Sequence, residues 1–143
     1  MNQHKPIKIL LVEDNEGDIL LTTEALEEAK IINSIEVVKD GNAAIVYLED
    51  PAIPLPDLIL LDVNLPKKNG HEVLVHIKST ELLRHIPVIM LTTSSSEIDI
   101  NKAYKQYASC YIVKPVEVGD FMNMVGQIEG FWFSIVSLPN KHK

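Results

Sequence analysis

Apolar residues fall along this chain in short unbroken runs, and four of these runs end on a polar residue. Ile9–Val12 leads into Glu13 and Asp14, Leu58–Leu61 into Asp62, Val88–Leu91 into Thr92, and Tyr111–Val113 into Lys114 and Pro115. Continuous aliphatic runs of this length predict strands buried on both faces, as in a parallel sheet. A shorter run, Ile35–Val38, predicts a further strand and leads into Asp40-Gly41, a turn or cap signal.

Between the runs the period changes to that of a helix. A first helix is expected from Asn15 or Glu16, where acidic residues suit the N-terminal dipole, with Leu21, Ala25 and Ala29 buried. A second would bury Ala44 and Leu48. Pro51, Pro54 and Pro56 forbid helix and mark a connecting loop, and Pro66, Asn69 and Gly70 mark another before a helix burying Val73, Leu74 and Ile77. Pro87 opens the fourth long run. Ser94 and Glu97 have capping-box spacing, and Ile100, Ala103, Tyr104 and Tyr107 recur on one face of a fourth helix. Phe121, Met124, Val125 and Ile128 repeat that pattern in a fifth.

Five strand-helix alternations with right-handed crossovers predict an α/β fold, a doubly wound five-stranded parallel sheet flanked by five helices, for which the common strand order is 2-1-3-4-5. The strand order reverses between the first and third strands, and ligands bind in the crevice there. Glu13, Asp14 and Asp62 are therefore expected to meet at the switch point.

Length and charge narrow the functions open to such a site. The 143 residues fit one domain, expected to span 1–143, with 131–143 an apolar extension of the last helix. A formal net charge of -7 opposes non-specific binding to nucleic acid or to anionic lipid, which leaves proteins and cations as partners. The single cysteine, Cys110, permits no intrachain disulfide and reads as a small buried hydrophobe, which fits a reducing cytoplasm. The polar start Met1–Pro6 does not resemble a signal peptide, and no run approaches the roughly 20 apolar residues of a membrane span.

Three carboxylates, a hydroxyl and an ammonium at one sheet edge can hold a divalent cation and neutralise a phosphoryl group, with Asp62 as nucleophile. Crowded carboxylates raise one another's pKa, and a cation relieves the repulsion. Hard oxygen ligands favour Mg²⁺, with Mn²⁺ able to substitute. Each residue alone has a plainer reading: Glu13 and Asp14 as helix caps, Thr92 as a strand former, Lys114 as one surface lysine. Asp62 is harder to dismiss, because a carboxylate after four buried aliphatics is costly without a cationic partner. His71 and His76 resemble a zinc-protease pair, but five residues rotate them about 140° apart on a helix, so both are expected at the surface.

Taken together, Leu11-Val12-Glu13-Asp14-Asn15, Asp40-Gly41, Leu60–Pro66, Asn69-Gly70, Pro87–Thr92 and Lys114-Pro115 make the chain resemble a response-regulator receiver domain of two-component signalling, the CheY-like family with a flavodoxin-like fold. The resemblance implies that Asp62 accepts a phosphoryl group from a phosphohistidine on a sensor histidine kinase. It also implies that Glu13, Asp14, Asp62 and the main-chain carbonyl of Asn64 hold Mg²⁺, that Lys114 pairs with the phosphoryl oxygens, and that Thr92 donates a hydrogen bond to them. Tyr111 would then turn inward as part of the switch; from the residues alone it is a half-buried strand position.

A narrower likeness rests on Pro66–Leu74 and on the ending Phe131-Trp132-Phe133-Ser134 to Leu138-Pro139, which are similar to stand-alone regulators serving bacterial phytochrome kinases. The apolar ending either covers its own domain or, as is expected, joins the fourth and fifth helical units in a homodimer. A phosphorelay shuttle and a phosphorylation-independent adaptor are alternatives within the family. An Asp-nucleophile phosphohydrolase is disfavoured, because such enzymes place a second carboxylate two residues after the nucleophile, where this chain has Asn64.

Overall fold

The aliphatic runs assemble into the sheet that their composition predicts. The structure, a computed structural model, describes residues 7–28, 33–92, 97–114 and 117–134. Ala29, Ser94, Pro115 and the ending from residue 135 lie outside them, as do the side chains of Glu97, Ala103, Phe131, Trp132 and Phe133. The elements alternate as β1 (Ile7–Val12), α1 (Glu16–Glu27), β2 (Asn33–Val38), α2 (Gly41–Glu49), β3 (Leu58–Asp62), α3 (Gly70–Ser79), β4 (Val88–Thr92), α4 (Glu97–Lys105), β5 (Cys110–Val113) and α5 (Val118–Ser134). The sheet order is β2-β1-β3-β4-β5, and every pairing is parallel.

Strand side chains alternate between two faces, and so build two cores. Leu10, Val12, Ile59, Leu61, Val88 and Met90 pack with Ala44, Leu48, Val73, Leu74 and Ile77 of α2 and α3. Ile9, Leu11, Leu58, Leu60, Ile89 and Leu91 pack with Ala25 and Leu26 of α1 and Phe121, Val125 and Ile128 of α5. Strands β3 and β4 are buried throughout, whereas edge strand β5 is only half-buried. Among the described residues no helix is long and apolar enough to cross a membrane.

The helices begin where their caps dictate. Asn15 Oδ1 accepts the Asp18 N–H at 2.9 Å, and Asp40 Oδ1 accepts the Ala43 N–H at 2.7 Å. Asn69 and Glu72 form a reciprocal capping box, each side chain accepting the other's backbone N–H at 3.0 Å.

Several expectations need correction. On α1, Leu21 is only half-buried, and Thr22 and Leu26 join Ala25 inside. The expected apolar face of α4 is largely open: Ile100 is half-buried, Tyr104 is 48% exposed, and Tyr107, 75% exposed, lies beyond the helix. That face sits beside the outermost strand, where no further layer covers it among the described residues. His71 is buried, not at the surface, because it stands three residues before Leu74 on the inward face of α3. His76 reaches solvent and meets Glu49 at 2.6 Å. Cys110 is half-buried against the second core, and burial raises its thiol pKa.

Candidate functional site

Parallel pairing brings the ends of β1, β3, β4 and β5 to one edge. Val12 is level with Leu61, Asp62 with Leu91, and Thr92 with Val113. The residues immediately following these strands therefore surround a single cleft, lined by Glu13, Asp14, Asp18, Asp62, Asn64 and Lys114. Glu13, Asp62 and Lys114 are 2%, 6% and 8% exposed, Thr92 is fully buried, and Asp14 faces solvent.

The Lys114 ammonium stands at the centre. Its Nζ donates to Glu13 Oε1 at 2.6 Å, to Asp18 Oδ2 at 2.8 Å and to Asp62 Oδ2 at 3.3 Å. Burial alone would lower the lysine pKa, but the hydrogen bonds to Asp18 and Glu13 and the charges of Asp62 and Glu13 raise it overall, so the group stays cationic. Glu13 is the reluctant ion: burial and its hydrogen bond with Asp62 push it up to about 7, against the pull of Lys114. Its second oxygen, Oε2, accepts the Asn15 N–H at 3.2 Å.

Asp62 is held at both oxygens. Oδ2 faces Lys114, while Oδ1 accepts the backbone N–H of Asn64 at 3.2 Å. The loop carrying Asn64 is fixed at both ends by close backbone approach. A Cβ on Gly70 would stand 2.3 Å from the Asp62 carbonyl oxygen, and one on Gly41 would stand 1.9 Å from that of Lys68, so only glycine fits at either place. The Gly70 N–H donates to the Val63 carbonyl at 2.8 Å, and the Val63 N–H to the Leu91 carbonyl at 3.1 Å.

Glu13, Asp14 and Asp62 each offer a carboxylate oxygen within 4.8 Å of the others. Hard oxygen donors so crowded, one of them driven toward protonation by burial and a neighbour, are a donor set that fits a small divalent cation. Thr92 lies beside the cleft at the end of β4, and its carbonyl accepts the Lys114 N–H at 2.6 Å. Tyr111 is half-buried on β5 against the first core, and its N–H donates to the Tyr104 hydroxyl at 3.2 Å. All seven residues singled out in the sequence thus lie at or next to this end of the sheet, with Tyr111 set back along β5. Asp18 was not among them. Its place in the first turn of α1, close in sequence to Glu13 and Asp14, was the available signal.

Comparison with known proteins agrees with this fold. The sequence profile of the response regulator receiver domain matches residues 9–126. The chain is similar to the response regulator Rcp1 of Synechocystis sp., 43% identical over 138 residues that cover 94% of each chain. The crystal structure of Mn²⁺-bound Rcp1 superimposes with a TM-score of 0.90, covering 94% of this chain and 100% of that one. The phosphorylated cyanobacterial phytochrome response regulator RcpA is 44% identical, with a TM-score of 0.92 over 95% of this chain and 100% of its own. A probable methanogenesis regulatory protein, FilR2 of Methanothrix harundinacea, is 43% identical over 130 residues, covering 89% of this chain and 84% of its own.

Proposed function

This chain belongs to the response regulator receiver domain family, and from that premise we propose that Asp62 is its phosphoacceptor, charged by the phosphohistidine of a sensor kinase. The observation that supports this most is the buried ammonium of Lys114 hydrogen-bonded to both Glu13 and Asp62 in a cleft where three carboxylates converge. An Asp62 oxygen attacks phosphorus in line with the departing imidazole. The new bond is O–P, the N–P bond breaks, and its electron pair stays on the imidazole nitrogen. A loose transition state of this kind asks for positioning and charge neutralisation, not for a strong base. Lys114 and the Asn64 N–H supply the positioning, since they fix the carboxylate at its two oxygens.

Glu13, Asp14 and Asp62, with the main-chain carbonyl of Asn64, would hold Mg²⁺, or Mn²⁺ in its place, and the bound cation would neutralise the non-bridging phosphoryl oxygens. Lys114 then pairs with the phosphoryl group, and Thr92 donates its hydroxyl to it. Movement of Thr92 toward the phosphoryl group lets Tyr111 turn inward. The protein catalyses only its own phosphorylation and dephosphorylation. Asn64 stands where a phosphohydrolase of this chemistry would need a carboxylate.

The test is incubation with acetyl phosphate and Mg²⁺ followed by intact mass. One added phosphoryl group is expected, and Asp62→Asn should abolish the gain; an unchanged wild-type mass overturns the reading.

The likeness to RcpA supports a phytochrome-type kinase as partner, while FilR2 stands at nearly the same identity with another assignment. Phosphotransfer from a panel of autophosphorylated kinases separates the two. The chain acts as one receiver domain. Exposed Tyr104, Tyr107, Val113 and Val118 along α4, β5 and α5 favour a homodimer through that face and the apolar ending. Light scattering should give a dimer mass in at least one phosphorylation state.

A further inference from the structure

The hydrogen bonds of Lys114 raise a question of exchange. An ammonium has three N–H donors, and here Glu13, Asp18 and Asp62 take all three. A phosphoryl oxygen arriving on Asp62 can bond Lys114 only by displacing one of them. Glu13 is a poor candidate to let go, because its side chain is 2% exposed and little water can reach it in place of the ammonium. Asp62 carries the phosphoryl oxygens: its own contact, the longest at 3.3 Å, loses its carboxylate charge on phosphorylation, and the ammonium must still move toward the new dianion. Asp18 differs from both: its side chain is 26% exposed, and solvent can hydrate it once the ammonium departs.

We infer that Asp18 is a positioning residue that competes with the phosphoryl group for Lys114. Before phosphorylation it holds the ammonium toward α1, at 2.8 Å, while Asp62 is left with the longest contact, 3.3 Å. On phosphorylation Lys114 exchanges Asp18 for a phosphoryl oxygen, and Asp18 turns to water. The strength of this pair therefore sets how readily the phosphorylated state forms and how long it lasts. The helix can spare the side chain, because the Asn15 cap receives the backbone N–H of Asp18 and not its carboxylate.

This inference rests on Asp62 being the phosphoacceptor, and the experiment separates the two. Beryllofluoride, which mimics a phosphoryl group on a carboxylate, is titrated with Mg²⁺ into wild type, Asp18→Ala and Glu16→Gln. Glu16 carries a charge of the same sign in the same helical turn, but it pairs with Lys39 and not with Lys114. Asp18→Ala should bind about two- to fivefold tighter, the range expected for release of a partly exposed ion pair, and Glu16→Gln should gain clearly less. Equal or weaker binding by Asp18→Ala, or an equal gain by Glu16→Gln, overturns the competition. Thermal unfolding checks that each variant is folded; Asp18→Asn replaces the alanine variant if that one is not. A wild type that binds no beryllofluoride would instead remove the phosphoacceptor reading itself.

Discussion

Helices α3 and α4 follow one another in the chain and carry similar amphipathic patterns, yet they are anchored very differently. Val73, Leu74 and Ile77 of α3 are fully buried, its first turn is reciprocally capped, and Lys78 near its end donates to the carbonyls of Arg84 and Ile86. Helix α4 offers Tyr104 half to solvent, and Tyr107 beyond it is more exposed still. One specific link from α4 to the sheet is polar, the Tyr104 hydroxyl accepting the Tyr111 N–H. Among the described residues α3 is firmly packed, whereas α4 shows less buried apolar surface. Elements that rearrange are drawn from the weakly anchored end of a structure.

The sharpest way to break this contrast is to truncate one side chain in each helix. Leu74→Ala should cost about 3 kcal/mol through lost burial and the cavity left behind. Tyr104→Ala should cost less than about 1 kcal/mol, since much of its ring is already wet. Urea denaturation of both measures the difference, and equal losses would mean that α4 is anchored as firmly as α3.

Next in size is the pH dependence of the buried site. Glu13 has a folded-state pKa raised from 4.5 to about 7, so the folded protein binds its proton more tightly than the unfolded chain does. Its contribution to stability is therefore fully present below pH 4.5 and is lost as pH rises through about 7. The loss is at most about 3 kcal/mol. Metal-free protein denatured across that window should show it, saturating Mg²⁺ should reduce it, and Glu13→Gln should remove it.

The smallest expected effect lies on the α4 side. Tyr107 has a φ of 69°, the left-handed conformation of a helix-terminating residue, and its N–H donates to the Tyr104 carbonyl at 3.0 Å. Glycine adopts that geometry without steric cost. Tyr107→Gly should therefore raise the melting midpoint slightly, by the equivalent of about 0.5–1 kcal/mol. If the exposed ring belongs to the dimer face, the same change should weaken association while it stabilises the fold.

The sequence was informative where one physical cause dominates. Buried runs of Ile, Leu and Val bounded by Pro, Gly and Asp leave little alternative to interior strands, and the order 2-1-3-4-5 is the common one for five such units. The convergence of Glu13, Asp14, Asp62, Thr92 and Lys114 was legible because each follows or ends its own strand. Periodicity on α4 misled because it reports that a face exists, not what lies against it, and the outermost strand supplies too little surface to cover one. His71 was judged only against His76, when its offset of three from Leu74 already turned it inward. Asp18 was passed over because acidic residues in a first turn are sufficiently explained by the helix dipole; only coordinates show its carboxylate reaching a lysine 96 positions away.

The short bond from the Lys114 N–H to the Thr92 carbonyl, 2.6 Å, ties together the main chains of two residues assigned to the phosphoryl group. Sensor and lever then share one axle. On the proposed mechanism a hydroxyl drawn inward at the end of β4 would tug the lysine's peptide in the same stroke, and the two arrivals should register in time-resolved spectra as a single relaxation rather than as a sequence of events.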